Sequence, residues 1–144
     1  MERTVTRRMV LGLGGAALVG SIAGCLDRGS EGERVEVDPG TRVVLDGYTT
    51  HWEGVEPDSL AGEENPTLVL TDGEPYEIEW INADGFGHDL QIWDGDENVV
   101  DDLATEEIDS EDDGATLEFT ADERMETYVC TLHQQRQRGS IEVE

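Results

Sequence analysis

The chain has 144 residues, 35 of them acidic and nine basic, for a formal net charge of −26; all nine basic residues are arginine. Such a surface repels nucleic acid and anionic lipid surfaces, which argues against both as partners. The acids are interleaved with Val, Ile, Leu, Trp and Phe, so the composition permits a buried core and argues against a disordered acidic tail.

In chain order, the first signal is Thr6-Arg7-Arg8-Met9-Val10-Leu11, an arginine pair followed by apolar residues. The small and apolar run that follows, residues 9–24, is short and Gly-rich for a membrane span, which needs about 20 apolar residues. It ends in Ile22-Ala23-Gly24-Cys25. That tetrapeptide resembles the lipobox of bacterial and archaeal lipoproteins, with an incidental cysteine or an uncleaved anchor as the alternatives. The resemblance implies a twin-arginine signal over 1–24, export, and lipid on Cys25 holding the chain at the outer face of the cell membrane. The lysine-free, carboxylate-rich composition resembles proteins of salt-accumulating halophilic archaea. With Cys25 lipidated, Cys130 is a lone exported thiol, either reactive or ligated; a Cys25–Cys130 bridge is the alternative.

Residues 25–40 are rich in Gly, Ser and Glu and read as a flexible tether. From Thr41 to Glu144 the punctuation is that of an all-β domain, with Asp-Gly turn signals at Asp46-Gly47, Asp72-Gly73, Asp84-Gly85, Asp94-Gly95 and Asp113-Gly114. Tyr76, Ile78 and Trp80 share one face, and Leu117 and Phe119 repeat the alternation. Further strands are expected at Arg42–Leu45, Thr67–Leu70, His88–Trp93, Thr127–Cys130 and Ser140–Val143. Seven or eight short strands in about 100 residues predict a two-sheet sandwich. The acidic run Glu106–Asp113 has no calcium-loop spacing and reads as a solvated loop.

Two segments carry chemistry. Tyr128-Val129-Cys130-Thr131-Leu132-His133 puts a cysteine at a strand end and a histidine three positions later, and Gly139 opens the last strand. Upstream, Trp80-Ile81-Asn82-Ala83-Asp84-Gly85-Phe86-Gly87-His88 leads from a strand through a turn to an earlier histidine. In this order they resemble the cupredoxins, the blue-copper family of plastocyanin, azurin and halocyanin, over Thr41–Glu144. The resemblance implies a Greek-key sandwich holding one type 1 copper ion through His88, Cys130 and His133. It implies single-electron transfer between membrane-associated redox partners. A copper enzyme is not expected, because Cys130 lies between Val129 and Thr131 rather than between histidines and no second cysteine stands nearby; a monomer is expected. A thiolate with two imidazoles suits both Cu(I) and Cu(II), although zinc accepts the same set.

Many relatives carry an axial methionine shortly after the second histidine; here no Met follows Met125. The family's Met-x-Gly order, anchored on Gly139, puts Gln137 in that place, either as an axial oxygen donor or facing solvent beside a three-ligand site. Asp89, where the family often has Asn, is expected to accept a hydrogen bond from the Thr131 hydroxyl. His51 reads as structural or surface. Arg136 and Arg138 read either as a basic rim for an acidic redox partner or as solubilising residues. A copper-delivery or storage protein and a metal-free binding module remain the alternative functions.

Overall fold

The computed structural model describes residues 32–144, so the arginine pair, the Ile22–Cys25 tetrapeptide and Cys25 lie outside the described residues. No helix among the described residues is long and apolar enough to cross a membrane. Ten strands follow one another: β1 (Arg34–Glu36), β2 (Arg42–Tyr48), β3 (His51–Glu56), β4 (Thr67–Leu70), β5 (Pro75–Asn82), β6 (Gln91–Trp93), β7 (Val99–Ala104), β8 (Gly114–Thr120), β9 (Thr127–Val129) and β10 (Arg138–Val143). Among the described residues one 3-10 turn, Thr131–His133, interrupts the β structure.

The strands form two sheets, one in the order β1-β4-β10-β9-β6-β7 and the other β3-β2-β5-β8. The all-β sandwich is therefore as expected, with ten strands rather than seven or eight. β5 shows why it forms: Tyr76, Ile78, Trp80 and Asn82 are buried while the residues between them are not. Half-buried alternation of this kind is what a strand with one covered face produces. Leu117 and Phe119 on β8 continue that face through antiparallel pairing with Ile78 and Tyr76. One cluster of buried side chains from both sheets makes the core, with Leu45, Trp52, Leu68, Trp80, Ile92 and Tyr128 fully enclosed.

Three strands have no counterpart in the sequence expectation, and a fourth begins later than expected. Arg34–Glu36, inside the segment read as a tether, pairs in parallel with Thr67–Val69 as β1, and Val35 and Val37 join the core. The two valines alternate with acids and so bury one face, a short pattern that Gly- and Glu-rich flanks conceal. β3 packs Trp52 and Gly54 inward, and glycine gives no apolar signal. β7 buries Val100 alone and turns at Asp101 and Asp102, whose φ angles are 50° and 59°. The expected strand from His88 begins only at Gln91, because His88 instead makes an isolated bridge to Ile108. That bridge also anchors the acidic loop: Ile108 is buried while most of its neighbours are exposed.

Register sets the site. Gln91 on β6 and Arg138 on β10 both pair with Val129 on β9, so three adjacent strands end in one row. The residues just beyond that row are Cys130, Gln137 and the stretch from His88 to Leu90.

Candidate metal centre

The turn before His88 is built by Asn82, which is fully buried. Its Oδ1 accepts the amides of Asp84 and Gly85 at 3.2 and 2.7 Å. Its Nδ2 donates to the carbonyls of Phe86 and Ile108 at 2.7 and 2.9 Å. Gly85 takes a φ of +80°, a conformation for which glycine has no steric cost. A buried asparagine with every hydrogen-bonding group engaged over-determines the loop, so His88 enters the interior with little freedom.

The other loop runs from Cys130 to Gln137. The Cys130 amide donates to the Gln137 carbonyl at 3.0 Å, and the Gln137 amide donates to the His133 carbonyl at 2.9 Å. Asp89 ties the two loops together: its carboxylate accepts the Thr131 amide at 2.7 Å and the Thr131 hydroxyl at 2.6 Å. Asn65, at a φ of +46°, donates to the Arg136 carbonyl at 2.9 Å and accepts the Trp52 amide at 2.8 Å.

These loops bring His88, Cys130 and His133 together, each with one donor atom within 4.8 Å of the others. Cys130 Sγ lies 3.5 Å from His133 Nδ1 and 3.9 Å from His88 Nδ1. A thiolate and an imidazole sharing a metal at about 2.3 and 2.0 Å, with trigonal angles, are separated by about 3.7 Å. The spacing is that of donors that could share one metal ion. Gln137 completes the cage: its Oε1 is 2.9 Å from His88 Nδ1 and 3.1 Å from His133 Nδ1. Gln137 is fully buried rather than solvent-facing, and its Nε2 has no hydrogen-bond partner among the described residues.

Behind His88 stands the Asp84 carboxylate, whose place in an Asp-Gly pair marks only a turn. Asp84 Oδ1 is 2.7 Å from His88 Nε2 and accepts the Phe86 amide at 3.1 Å, while Oδ2 accepts the Thr49 amide at 2.9 Å. Burial by itself would raise the Asp84 carboxyl, but the hydrogen bond from His88, followed by those from Phe86 and Thr49, holds it below the ordinary carboxylate value. Burial likewise pushes the Cys130 thiol up, and backbone hydrogen bonds from Asp89, Leu132 and His133 offset this only in part. A thiol must be deprotonated to ligate, so metal uptake here releases a proton.

The opposite sheet supplies the wall. A Cβ at Gly47 would come within 3.1 Å of Gln137 Nε2 and of Trp52 Cζ3, and 3.6 Å from His88 Cδ2. Trp80 meets the His88 ring edge-on at 6.2 Å, and its Nε1 donates to the Thr105 hydroxyl at 3.1 Å. Glycine at 47 thus makes room for the amide of Gln137, which spacing along the sequence did not reveal.

At the surface, His133 is partly exposed and lines a shallow groove with Thr49, Leu132, Gln134, Gln135 and Arg136. Phe86 and Leu132 are among the few exposed large apolar side chains. Arg138 does not join Arg136 there: it sits over the Trp93 ring at 5.8 Å, 3.8 Å from Glu97. His51 is away from the cage, stacked on Tyr48 at 4.9 Å and hydrogen-bonded to Thr50 at 2.9 Å.

No family model and no curated protein sequence matches the chain. Among solved structures it is similar to rusticyanin from Thiobacillus ferrooxidans, at 19% identity and a TM-score of 0.56 over 88% of this chain and 94% of that one. A methionine-to-leucine variant of rusticyanin gives 21% identity and a TM-score of 0.59, covering 88% and 93%. A multicopper oxidase from the hyperthermophile Aquifex aeolicus gives 17% identity and a TM-score of 0.52, covering 78% of this chain and 28% of the oxidase. At such identities the likeness establishes the fold, which is that of the cupredoxins.

Proposed function

We propose that the chain is a blue-copper protein of the halocyanin and plastocyanin kind, holding one type 1 copper ion through His88, Cys130 and His133, with Gln137 as the axial oxygen donor. The observation that carries this reading is the convergence of one buried thiol and two imidazoles, with donor atoms within 4.8 Å of one another. Copper in such a set supplies a single electron, cycling between Cu(I) and Cu(II). The chemistry left to the chain is to hold the donors still. Asn82 fixes the His88 turn, Asp89 clamps Thr131 beside Cys130, and the two sheets confine the rest, so little need rearrange when the charge changes. The rusticyanin structures support the reading, because one of them is described as that of a copper protein.

Burial favours an electron carrier over a copper-delivery or storage protein. His88, Cys130 and Gln137 are all fully enclosed. Handing the ion to another protein requires exposed ligands that exchange one at a time, and only His133 approaches the surface. Electrons, unlike ions, can pass through a ring edge. The groove at His133, flanked by Leu132 and Phe86, is then the contact for a redox donor and acceptor. We read the chain as exported by the twin-arginine route and tethered to the membrane by lipid on Cys25, working in high salt as a monomer.

Copper titration followed by native mass spectrometry, then cycles of ascorbate reduction and mild oxidation, tests the function. The expected result is one copper per chain, retained through repeated cycles. Binding that is absent, or lost on each reduction, would instead favour a metal-free module or a delivery protein.

A further inference from the structure

On the far side of the His88 ring stands the Asp84 carboxylate. A neutral imidazole has one N–H, for which Asp84 at Nε2 competes with Gln137 and, more distantly, Cys130 Sγ at 3.9 Å on the Nδ1 side. Asp84 Oδ1 lies 2.7 Å from Nε2, and Gln137 Oε1 lies 2.9 Å from Nδ1. The contest is unequal, because a hydrogen bond to an ionised carboxylate is roughly twice as strong as one to a neutral amide. Asp84 is also held in place, since the amides of Thr49 and Phe86 both donate to it. The proton therefore belongs on Nε2, and the Nδ1 lone pair is left facing the carbonyl oxygen of Gln137. Two lone pairs at 2.9 Å repel one another, and a cation in the cage relieves that repulsion.

We infer that Asp84 is a positioning residue that fixes the tautomer of His88, holding Nδ1 bare toward the cage before any metal arrives, and that its charge stabilises the more highly charged state of the bound ion. The inference rests on the copper reading of the same site, but its first consequence exists without metal. Removing the carboxylate reverses the contest: Gln137 Oε1 becomes the better acceptor, the proton moves to Nδ1, and the atom that should ligate is capped.

The test uses nitrogen-15 NMR of the histidine rings in the metal-free protein, at mildly alkaline pH where Cys130, raised by burial, keeps its proton, for the native chain and for Asp84→Ala and Asp84→Asn. The native protein should show His88 as the Nε2–H tautomer. Asp84→Ala should show Nδ1–H, and Asp84→Asn, with two neutral acceptors, a mixture. An unchanged tautomer in both variants would overturn the inference, as would an Nδ1–H tautomer in the native chain. Asp84→Asn keeps the side chain's shape, so it reads the same effect should Asp84→Ala fail to fold. With copper bound, Asp84→Asn should weaken Cu(II) binding relative to Cu(I) about tenfold, a reduction potential about 59 mV higher. An unchanged or lower potential counts against the charge effect. If the native protein binds no copper while the tautomers behave as described, the function fails and the role of Asp84 stands. If copper binds but the tautomer ignores Asp84, the reverse holds.

Discussion

The two sheets contribute differently to one site. The six-stranded sheet delivers donors: Cys130 follows β9, Gln137 precedes β10 and His88 lies just before β6, three strands that are neighbours in that sheet. The four-stranded sheet, with the loop that leaves β5, delivers the mould: Gly47, Trp52 and Trp80, then Asn82 and Asp84. Donors must be of a particular chemical type, whereas a mould must be of a particular shape. The thiolate and the two imidazoles should tolerate almost no substitution, and the mould should tune and strain without abolishing.

Cys130→Ser is the severest test of the donor side. A hydroxyl cannot replace a thiolate as a soft ligand, so stoichiometric copper retention through redox cycles should disappear. On the mould side, Gly47→Val presses a branched side chain against Gln137 Nε2 and Trp52, both already 3.1 Å from where its Cβ would stand. Overpacking of that kind costs about 1–3 kcal/mol, measurable by denaturant titration, while copper should still bind. Complete loss of copper in that variant would erase the distinction between the sheets.

Protons sharpen the comparison further, because they act on the donor side. Burial raises the Cys130 thiol in the folded protein. The folded chain then holds its proton to higher pH than the unfolded chain does, so the metal-free protein should lose stability as pH rises past the ordinary thiol range. Copper affinity moves the other way, rising about tenfold per pH unit for one proton released while the thiol is protonated. Thermal melts with and without copper across neutral to alkaline pH check both signs. A smaller effect is expected from Gln137→Met, which exchanges a hard oxygen for a soft sulfur and should raise the reduction potential; an unchanged or lower value would contradict axial ligation. Least of all, Arg136→Glu should slow electron exchange with an acidic partner slightly at low salt. The effect should vanish at 1 M, where the Debye length is about 3 Å.

This division also explains what the sequence made legible. His88, Cys130 and His133 are legible through rare side-chain chemistry in the order of the cupredoxin pattern, and the Asp89–Thr131 contact is what that same resemblance implies for the residue after the first histidine. Gln137 was placed by counting back from Gly139, and its burial could not be read from a loop of polar residues. Asp84 was visible only as half of an Asp-Gly turn; that it reaches back to a ring four residues on depends on the Asn82-built loop. Gly47, Trp52 and Asn65 act through register between distant strands. β1 and β7 were missed because each buries so few side chains that no periodicity survives, and β3 because glycine holds one of its inward positions.

The most direct test of the account is the optical and electron paramagnetic resonance spectrum of the copper-loaded domain in high salt. A lone thiolate and two imidazoles sharing one copper ion predict an intense blue absorption in the oxidised protein and a narrow copper hyperfine splitting, both lost on reduction. A pale protein with the wide splitting of ordinary tetragonal Cu(II) would show that the side chains at 88, 130 and 133 do not share the ion.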